Sequence, residues 1–323
     1  MRGRAELGGG RAPGWLRDPR LWQIGCLAGL LAYGLAVLDF GVAPAQVGLT
    51  LGAALAAQYA FGRARGVGFE PRSALISGLS LCLLLRTGDP AWAAAGSVLA
   101  VGSKFLLRVS GKHVFNPTNF ALVVLLLATD AVWVSAGQWG ASAFLAFLVA
   151  CAGGLVVHRA LRSDVSLSFL LAYASMLVAR AVHLGDPLSI PLHQLQSGAL
   201  LLFAFFMISD PRTTPDSRAG RVAFGVLVAA GAAFVQFGLF RPNGLVWSLA
   251  ACSPLVPVLD RVLPGARYQW PGRVPAVGLQ AERLRKGASR APVLGLPRPG
   301  GGGARRPRRP AGLFLLRLLR REG

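Results

Sequence analysis

The chain has 323 residues, of which 54% are apolar and only 15% are charged. A soluble domain carries about 25% charged residues, so this composition excludes an ordinary soluble protein and indicates an integral membrane protein. The net charge of +21 does not indicate nucleic-acid binding, because the basic residues lie in the C-terminal tail and between apolar runs rather than on one face.

Ten apolar runs approach the roughly 20 residues that a helix needs to cross a bilayer. A basic segment, residues 1–20, precedes them, and the runs occupy residues 21–265. The sequence therefore predicts an all-α integral membrane protein with about ten transmembrane helices. In chain order the predicted spans are 21–40, 43–62, 73–88, 90–107, 117–134, 139–157, 165–182, 192–209, 221–240 and 244–263.

The last segment, residues 271–323, has a different composition. Its glycine run at 300–303 and the alternation of proline and arginine at 305–310 are typical of disorder. Residues 313–321 fit either a short basic helix on an anionic membrane surface or an extension without a role.

The distribution of Lys and Arg orients the predicted spans, because cytoplasmic loops carry the excess of basic residues. With both termini in the cytoplasm, eleven basic residues fall in or beside cytoplasmic loops. Only Arg86, Arg180 and Arg241 fall on the opposite side. We therefore expect a multi-pass protein of the plasma membrane with the N-terminus and the C-terminus both inside.

One hydrophobic segment occurs twice. Ser77-Gly78 opens an apolar run that ends at Asp89-Pro90, and Ser197-Gly198 opens another that ends at Asp210-Pro211. The eighth span comes five spans after the third. Because each span reverses the direction of the chain across the membrane, an odd offset gives the two copies opposite orientations. The sequence therefore predicts two inverted five-helix repeats, an architecture in which transport proteins place their sites where the repeats meet.

A polar segment, residues 111–120, lies between the fourth and fifth spans. Pro117 disfavours a helical conformation at Asn116, and Asn and Thr side chains cap the helix that follows. A helix N-terminus beside Lys112 and His113 suits a phosphate or another anion. The alternative is that Asn116-Pro117 only starts the fifth span and Lys112 only follows the distribution of positive charge.

A second polar segment, residues 206–215, ends the eighth span. Asp210 lies there beside Pro211, where its carboxylate can cap backbone N–H groups or pair with Arg212 or Arg218. Ionisable residues within a membrane are functional by default. Since Asp210 lies at the boundary, a purely structural role stays open.

Together these segments resemble one protein family. The features are GKHVFNP at 111–117, FMISDPRTTP at 206–215, FRPNG at 240–244 and a last span that ends in PLVPVLD at 254–260. In this order, over about residues 70–265, they are similar to the membrane protein shared by Rnf-type electron-transport complexes (RnfD) and the sodium-pumping NADH:quinone oxidoreductase (NqrB). The resemblance implies ten helices in two inverted halves and flavin-linked electron transfer coupled to ion movement. It also implies other membrane electron-transport subunits as partners, besides the lipid bilayer.

The family's motifs mark the candidate cofactor-binding residues of this chain. They are Lys112, His113, Asn116, Thr118, Asp210, Thr213, Thr214 and Asn243. We expect Lys112, Asn116 and Asp210 to face one cavity from the cytoplasmic side, with Asp89 and Asn243 as their outer counterparts. No catalytic residue is assigned, and the scattered Cys and His residues lack metal-ligand spacing, so no metal site is predicted.

Covalent flavin is not expected. The resemblance implies that complex-bound members of the family attach FMN through a phosphoester to a threonine in a Ser-Gly-Ala-Thr type sequence after the fifth span. Here Gly140-Ala141 is followed by Ser142 in a short loop. Non-covalent flavin, either FMN or riboflavin, is compatible with the chain, and Phe120, Trp133 and Trp139 are aromatic residues that could stack on it. Interfacial tryptophans are also common membrane anchors.

Three functions therefore stay open. The first is a subunit for transmembrane transport or electron transfer. The second is a stand-alone transporter or accessory protein of secondary-metabolite biosynthesis without redox activity. The missing threonine and the segment 267–271 resemble family members that occur alone in actinobacterial genomes, some of them near enediyne biosynthesis genes. The third is a non-catalytic membrane scaffold.

The predicted topology can be tested with reporter fusions. Because of the bias of basic residues, fusions after residue 88 and between residues 135 and 138 should report an outside location. A fusion at the C-terminus should report an inside location. An outside location of the C-terminus would mean that a span is miscounted, and it would contradict the inverted repeat.

Overall fold

The computed structural model describes residues 18–134 and 143–269, with side chains from residue 148 onward in the second range. The first range forms five helices, and each begins with a proline. They are α1 (Pro19–Ala36), α2 (Pro44–Ala64), α3 (Pro71–Leu84), α4 (Pro90–Leu106) and α5 (Pro117–Ala128). Proline suits the first helical position because its missing N–H would have no intrahelical partner there and its φ angle is already helical.

Side-chain caps fix three of these helix starts. Asp18, Asp89 and Asn116 each accept a hydrogen bond from a backbone N–H two or three residues further on. Such caps satisfy N–H groups that the first turn of a helix leaves without a partner. The starts of α1, α4 and α5 are therefore set by local sequence.

The second range contains seven helices and two π-helical turns. They are α6 (Ala143–Arg159), α7 (Ser163–Leu184), α8 (Ser189–Leu195), α9 (Gly198–Leu202), α10 (Arg218–Ala233), α11 (Gly244–Cys252) and α12 (Val256–Val262). The π-helical turn Phe203–Met207 continues α9, the turn Phe234–Gly238 continues α10, and a 3-10 turn, Ser253–Leu255, joins α11 to α12. π-helical turns inside α-helices are frequent at functional sites.

Two pairs of short antiparallel strands accompany the helices. β1 (Leu85–Thr87) pairs with β4 (Val132–Val134), and β2 (Arg108–Val109) pairs with β3 (Lys112–His113). The sequence analysis predicted helix to residues 88 and 134 and missed this pairing. β1 and β4 follow the ends of α3 and α5, and their pairing gives the backbone there partners that a helix no longer supplies.

Three helical segments are long and apolar enough to cross a membrane: Ser163–Leu184, Arg218–Gly238 and Gly244–Val262. They match three predicted spans. The predicted span 192–209 is not one straight helix, because Ser189–Leu195 and Gly198–Met207 meet at a bend of 48°. Ser197 has an extended backbone at this break and precedes α9 as its N-terminal flanking residue.

The other predicted spans fall on helices that are shorter or less apolar. Pro71–Leu84, Pro117–Ala128 and Leu148–Arg159 are short apolar helices. The predicted span 117–134 is therefore too long at its C-terminal end. The fold is that of a mostly helical, multi-pass membrane protein.

The helices of the two ranges pack in the same pattern. In the first range α1 packs on α3, α2 on α4, and α4 on α5. In the second range α6 packs on α9, α7 on α10, and α10 on α11. Contacts between the two ranges join α1 to α6 and α5 to α11.

The packing of α7 against α10 depends on Gly225. A Cβ atom at this position would lie 3.0 Å from the backbone N of Phe169 and 3.0 Å from the carbonyl oxygen of Val165, and closer still to Ser168 Oγ. Small residues let helix backbones approach in a membrane, where packing replaces the hydrophobic effect as the force that holds helices together.

We expect Gly225→Ala to destabilise the protein by about 1–3 kcal/mol, because overpacking must separate α7 from α10. Gly154→Ala in α6 is the matched control, since a Cβ there meets nothing within 4 Å and alanine favours the helix. Thermal unfolding in detergent measures both. Equal effects of the two changes would contradict the proposed role of Gly225.

Candidate functional site

A cavity of about 390 Å³ lies where α1, α3 and α5 begin, beside the segment that follows α9. We call it the polar cavity. Exposed Val67, Gly68 and Arg108 mark its opening, while buried residues such as Ser77 and Ser80 line its interior. Its volume lies in the range of small-molecule sites, about 300–1,000 Å³.

Asn116 joins the two motif-bearing segments at this cavity. Its Oδ1 accepts a hydrogen bond from the backbone N–H of Asn119, 3.1 Å between N and O, and so caps α5. Its Nδ2 donates to the carbonyl oxygen of Met207 in the π-helical turn, also at 3.1 Å. Asn119 Nδ2 in turn donates to the carbonyl of Val246 in α11.

Asp210 caps the turn that follows the π-helical segment. Its Oδ1 accepts from the backbone N–H of Arg212 at 2.9 Å, and its carbonyl oxygen accepts from the Thr214 hydroxyl at 3.1 Å. Burial raises the pKa of the Asp210 carboxyl, and the nearby charges of Arg212, Lys104 and Arg162 oppose that shift. The capping role considered from the sequence is present, and the side chain also lines the polar cavity.

Three cations surround His113, which also lines the cavity. Burial is the main cause that lowers the pKa of its imidazole to about 3, and the charges of Arg212, Arg108 and Lys104 add to it. His113 is therefore neutral near pH 7. Its Nδ1 atom is buried and has no hydrogen-bond partner.

Lys104, on α4, is the most buried of these cations. It is only 5% exposed, and its Nζ donates to the carbonyl and the hydroxyl of Ser73 at 2.7 and 3.1 Å. Neither Lys104 nor Arg108 forms an ion pair with a carboxylate of the described residues. The polar cavity is thus lined by basic side chains, of which Lys104 is largely shielded from solvent.

Gln58, on α2, brings an unpaired acceptor to the same cavity. The residue is 5% exposed, and its Oε1 is buried without a hydrogen-bond partner. Asn119 Oδ1, in the first turn of α5, is also buried without a hydrogen-bond partner. Buried polar atoms nearly always have a partner, since an unmade hydrogen bond costs about 1–3 kcal/mol. The unpaired atoms indicate that a ligand or water supplies donors here.

The sequence-derived candidates divide between three places. His113, Asn116, Thr118 and Asp210 line the polar cavity. Lys112 instead pairs with Asp260 and Asp216, at 2.7 and 3.1 Å, and donates to the carbonyl of Thr214. Successive side chains of a strand point to opposite faces, and this separates Lys112 from His113 in β3.

Thr213 and Thr214 are buried in the turn beside the cavity and do not line it. Asp89 is exposed and caps α4. Trp133 is 52% exposed, and Phe120 packs on Phe115, so neither lines the polar cavity. Trp139 and Ser142 lie outside the described residues. Among the described residues, no group of three His, Cys, Asp or Glu is placed to hold a metal ion.

Asn243 lies at a second cavity, of about 290 Å³, which we call the Asn243 cavity. Gln194, Ser197, Arg241 and the hydrogen-bonded pair Tyr173 and Gln236 are its other polar lining residues. Met207 lines both cavities.

The two cavities lie at opposite ends of two helices. α3 has Ser73 at the polar cavity and Leu84 at the Asn243 cavity. The segment Gly198–Met207 runs the other way, from Ala199 at the Asn243 cavity to Phe206 at the polar cavity. Between the two cavities, α3 and the segment Gly198–Met207 therefore run in opposite directions.

Sequence analysis missed two lining residues, Gln58 and Lys104. Gln58 interrupts the apolar run 43–62, and Lys104 lies inside the predicted span 90–107. Polar and ionisable side chains within predicted spans are a recognised signal of function, and this signal would have identified both.

Comparison with known proteins identifies relatives. Residues 128–269 match the model of the NQR2, RnfD, RnfE family. Three relatives are named as D-type subunits of an ion-translocating oxidoreductase complex. The one from Stutzerimonas stutzeri is 29% identical over 266 residues, which cover 61% of this chain and 75% of the relative. The one from Tolumonas auensis is 41% identical over 75 residues, 23% of this chain and 21% of the relative.

The relative from Escherichia coli O1:K1 is 33% identical over 132 residues, which cover 41% of this chain and 33% of the relative. The chain thus spans three quarters of the first relative and a third or less of the other two. The family match includes the segment around Asp210 and Asn243, while the polar segment 111–120 precedes it.

We expect His113 to make the protein less stable in acid. Its folded pKa, about 3, lies below the usual 6.5, so its stabilising contribution is present above pH 6.5 and is lost as the pH falls towards 3. The loss is at most about 1.4 kcal/mol per pH unit. Thermal unfolding from pH 8 to pH 4 should show a smaller decrease for His113→Gln than for the wild type.

His183→Gln is the control, because His183 is exposed. It should keep the pH dependence of the wild type. An identical pH dependence of His113→Gln and the wild type would contradict the burial of a neutral imidazole.

Proposed function

We propose that this chain, a membrane protein of the NQR2, RnfD, RnfE family, acts as a membrane subunit in electron transfer coupled to ion transport. Its relatives are named as subunits of an ion-translocating oxidoreductase complex, which supports other membrane subunits as partners. The observation that carries the proposal is the polar cavity, because segments of both halves of the chain, at 113–118 and 206–212, meet there.

We propose that the membrane domain has ten spans in two inverted halves. Two observations support this arrangement: the equivalent packing of helices in the two ranges and the opposite directions of α3 and Gly198–Met207. With both termini inside, the polar cavity opens to the cytoplasm. Its cluster of Lys104, Arg108 and Arg212 then lies on the side where basic residues accumulate.

Non-covalent flavin is the ligand that we propose for the polar cavity. An isoalloxazine ring presents one N–H donor between two carbonyl acceptors and two apolar faces. The cavity offers buried atoms without hydrogen-bond partners at Gln58 and His113, basic side chains at Lys104 and Arg108, and apolar wall residues such as Phe105 and Phe206. These residue types and the volume fit the ring. A bound flavin would supply one- and two-electron transfer, while the protein residues bind it and exclude water.

A second function, transport of an ion or small solute by the chain alone, is favoured by the two cavities. They lie at opposite ends of the same helices and share Met207 as a lining residue. Broken helices are tolerated in a membrane where they line such cavities. Ser197, in the break at 196–197, and Ala199, just after it, line the Asn243 cavity.

Replacing Gln58 distinguishes a ligand-binding role from a structural one. Gln58→Leu should weaken flavin binding by about five- to tenfold, because one hydrogen bond of about 1 kcal/mol is lost. The ligand-free protein should unfold at the same or a higher temperature, since an unpaired acceptor is replaced by an apolar group. Quenching of flavin fluorescence and thermal unfolding measure the two effects.

Gln194→Leu is the matched control, because Gln194 lines the Asn243 cavity instead. It should bind flavin as the wild type does. Unaltered flavin affinity of Gln58→Leu, or a ligand-free protein that is clearly less stable, would overturn the proposed flavin site.

A further inference from the structure

We propose that the hairpin of β2 and β3 is a gate of the polar cavity, a role that rests on this cavity being the binding site proposed above and that holds for any ligand there. The gate is held closed by residues near the end of the second helical range, which we call the latch. The latch consists of the loop 214–217, Asp260 in α12 and the segment 263–269 that follows α12. Separation of the hairpin from the latch opens the cavity.

The hairpin forms part of the cavity wall. Arg108, in β2, and His113, in β3, line the polar cavity, and exposed Arg108 lies at its opening. The hairpin also connects α4 to α5, and both of these helices contribute lining residues, Lys104 and Thr118 among them. A displacement of the hairpin therefore widens the opening while the helices stay in place.

The hairpin is tight enough to move as one body. Its two-residue loop, Ser110 and Gly111, has positive φ angles of 50° and 80°, as short loops that match the twist of paired strands require. A hydrogen bond of 3.1 Å from the Val114 N–H to the Leu107 carbonyl extends the pairing of β2 and β3. Movement is therefore expected at the two ends of the hairpin, not within it.

The hairpin is fastened to the latch at two points. In β3, Lys112 Nζ lies 2.7 Å from Asp260 Oδ2 and 3.1 Å from Asp216 Oδ1. In the loop, the carbonyl oxygen of Ser110 accepts a hydrogen bond from the guanidinium of Arg267. Neither Lys112 nor Arg267 lines the polar cavity, so these contacts hold the hairpin without taking part in the site.

The latch is itself one packed unit. The backbone N–H of Asp216 donates to Asp260 Oδ1 at 2.7 Å. A Cβ atom at Gly265 would lie 2.5 Å from the backbone N of Ser217 and 2.7 Å from the carbonyl carbon of Asp216. The segment 263–269 therefore lies directly against the loop that carries Asp216, and the hairpin docks on a single surface.

The fastening suits reversible opening. Arg267 and both residues of β2 are exposed, and an exposed hydrogen bond adds little stability because water can replace either partner. The ion pairs of Lys112 are more shielded and form the stronger hold. Segments with exposed hydrogen bonds and few buried apolar contacts open locally at a much lower free energy than the whole fold. The gate therefore opens without unfolding of the helices.

Thiol labelling of the full-length, ligand-free protein in detergent measures the opening. Ser80→Cys places a thiol on α3 inside the polar cavity, where Ser80 is buried. Ser77→Cys, one turn earlier and also at the cavity, is a second probe. Native Cys82 is buried on the same helix and does not line the cavity, so it is the internal reference. The rates of reaction with a small water-soluble methanethiosulfonate are read by fragment-ion mass spectrometry.

Release of the latch should accelerate labelling of the probe and leave Cys82 protected. We expect Arg267→Gln to raise the rate about two- to fivefold and Lys112→Gln about five- to tenfold, as the loss of one exposed hydrogen bond and of shielded ion pairs predicts. The double variant should exceed either change alone. Arg261→Gln, an exposed arginine in the last turn of α12, is the matched control and should label at the rate of the unaltered latch.

Two results would overturn the gate. The first is an unchanged labelling rate of both probes in the double variant. The second is an equal acceleration at Cys82, which would mean that the helices loosen as a whole. Flavin titration of the same proteins is a separate readout. Accelerated labelling without flavin binding would remove the proposed flavin and leave the gate, whereas flavin binding with unchanged labelling would remove the gate and leave the site.

Discussion

The structure depends on how backbone groups are satisfied where helices begin and end inside the fold. In a membrane, an unpaired backbone N–H or C=O has no water to replace its partner. Asn116 solves this at two helices at once, because it caps α5 with its oxygen and holds the Met207 carbonyl of the π-helical turn with its nitrogen. The same amide thereby fixes one wall of the polar cavity and connects the two halves of the chain.

Several charged side chains outside the polar cavity form ion pairs. Lys112 lies between Asp216 and Asp260, and Arg221 forms a two-pronged pair with Asp164. Lys112 thereby joins β3 to Asp216 in the loop before α10 and to α12, and Arg221 joins α10 to α7. Lys104 and Arg108, by comparison, have no carboxylate partner among the described residues. Buried Lys104 and the unpaired acceptor of Gln58 line the same cavity, and this supports a binding site there.

The sequence predicted the features that depend on residues close together in the chain. Apolar runs placed the starts of α1 to α5 to within two residues, at 21, 43, 73, 90 and 117. The polar segments around Asn116 and Asp210 were expected to meet. Features that depend on distant contacts were not predictable in this way. The pairing of β1 with β4 needs residues 85–87 and 132–134 to lie side by side, and the alternation within β3 sends Lys112 away from the cavity that His113 faces. Gln58 acquires its role only when α2 packs beside the cavity.

The absorption spectrum of the protein, purified without added cofactor, tests the central claim most directly. The account predicts flavin absorption in the native protein, with the flavin released into the small-molecule fraction on denaturation because no covalent bond holds it. A colourless protein that also stays colourless after incubation with FMN and riboflavin would contradict the account. The polar cavity would then belong to a transporter without a redox cofactor.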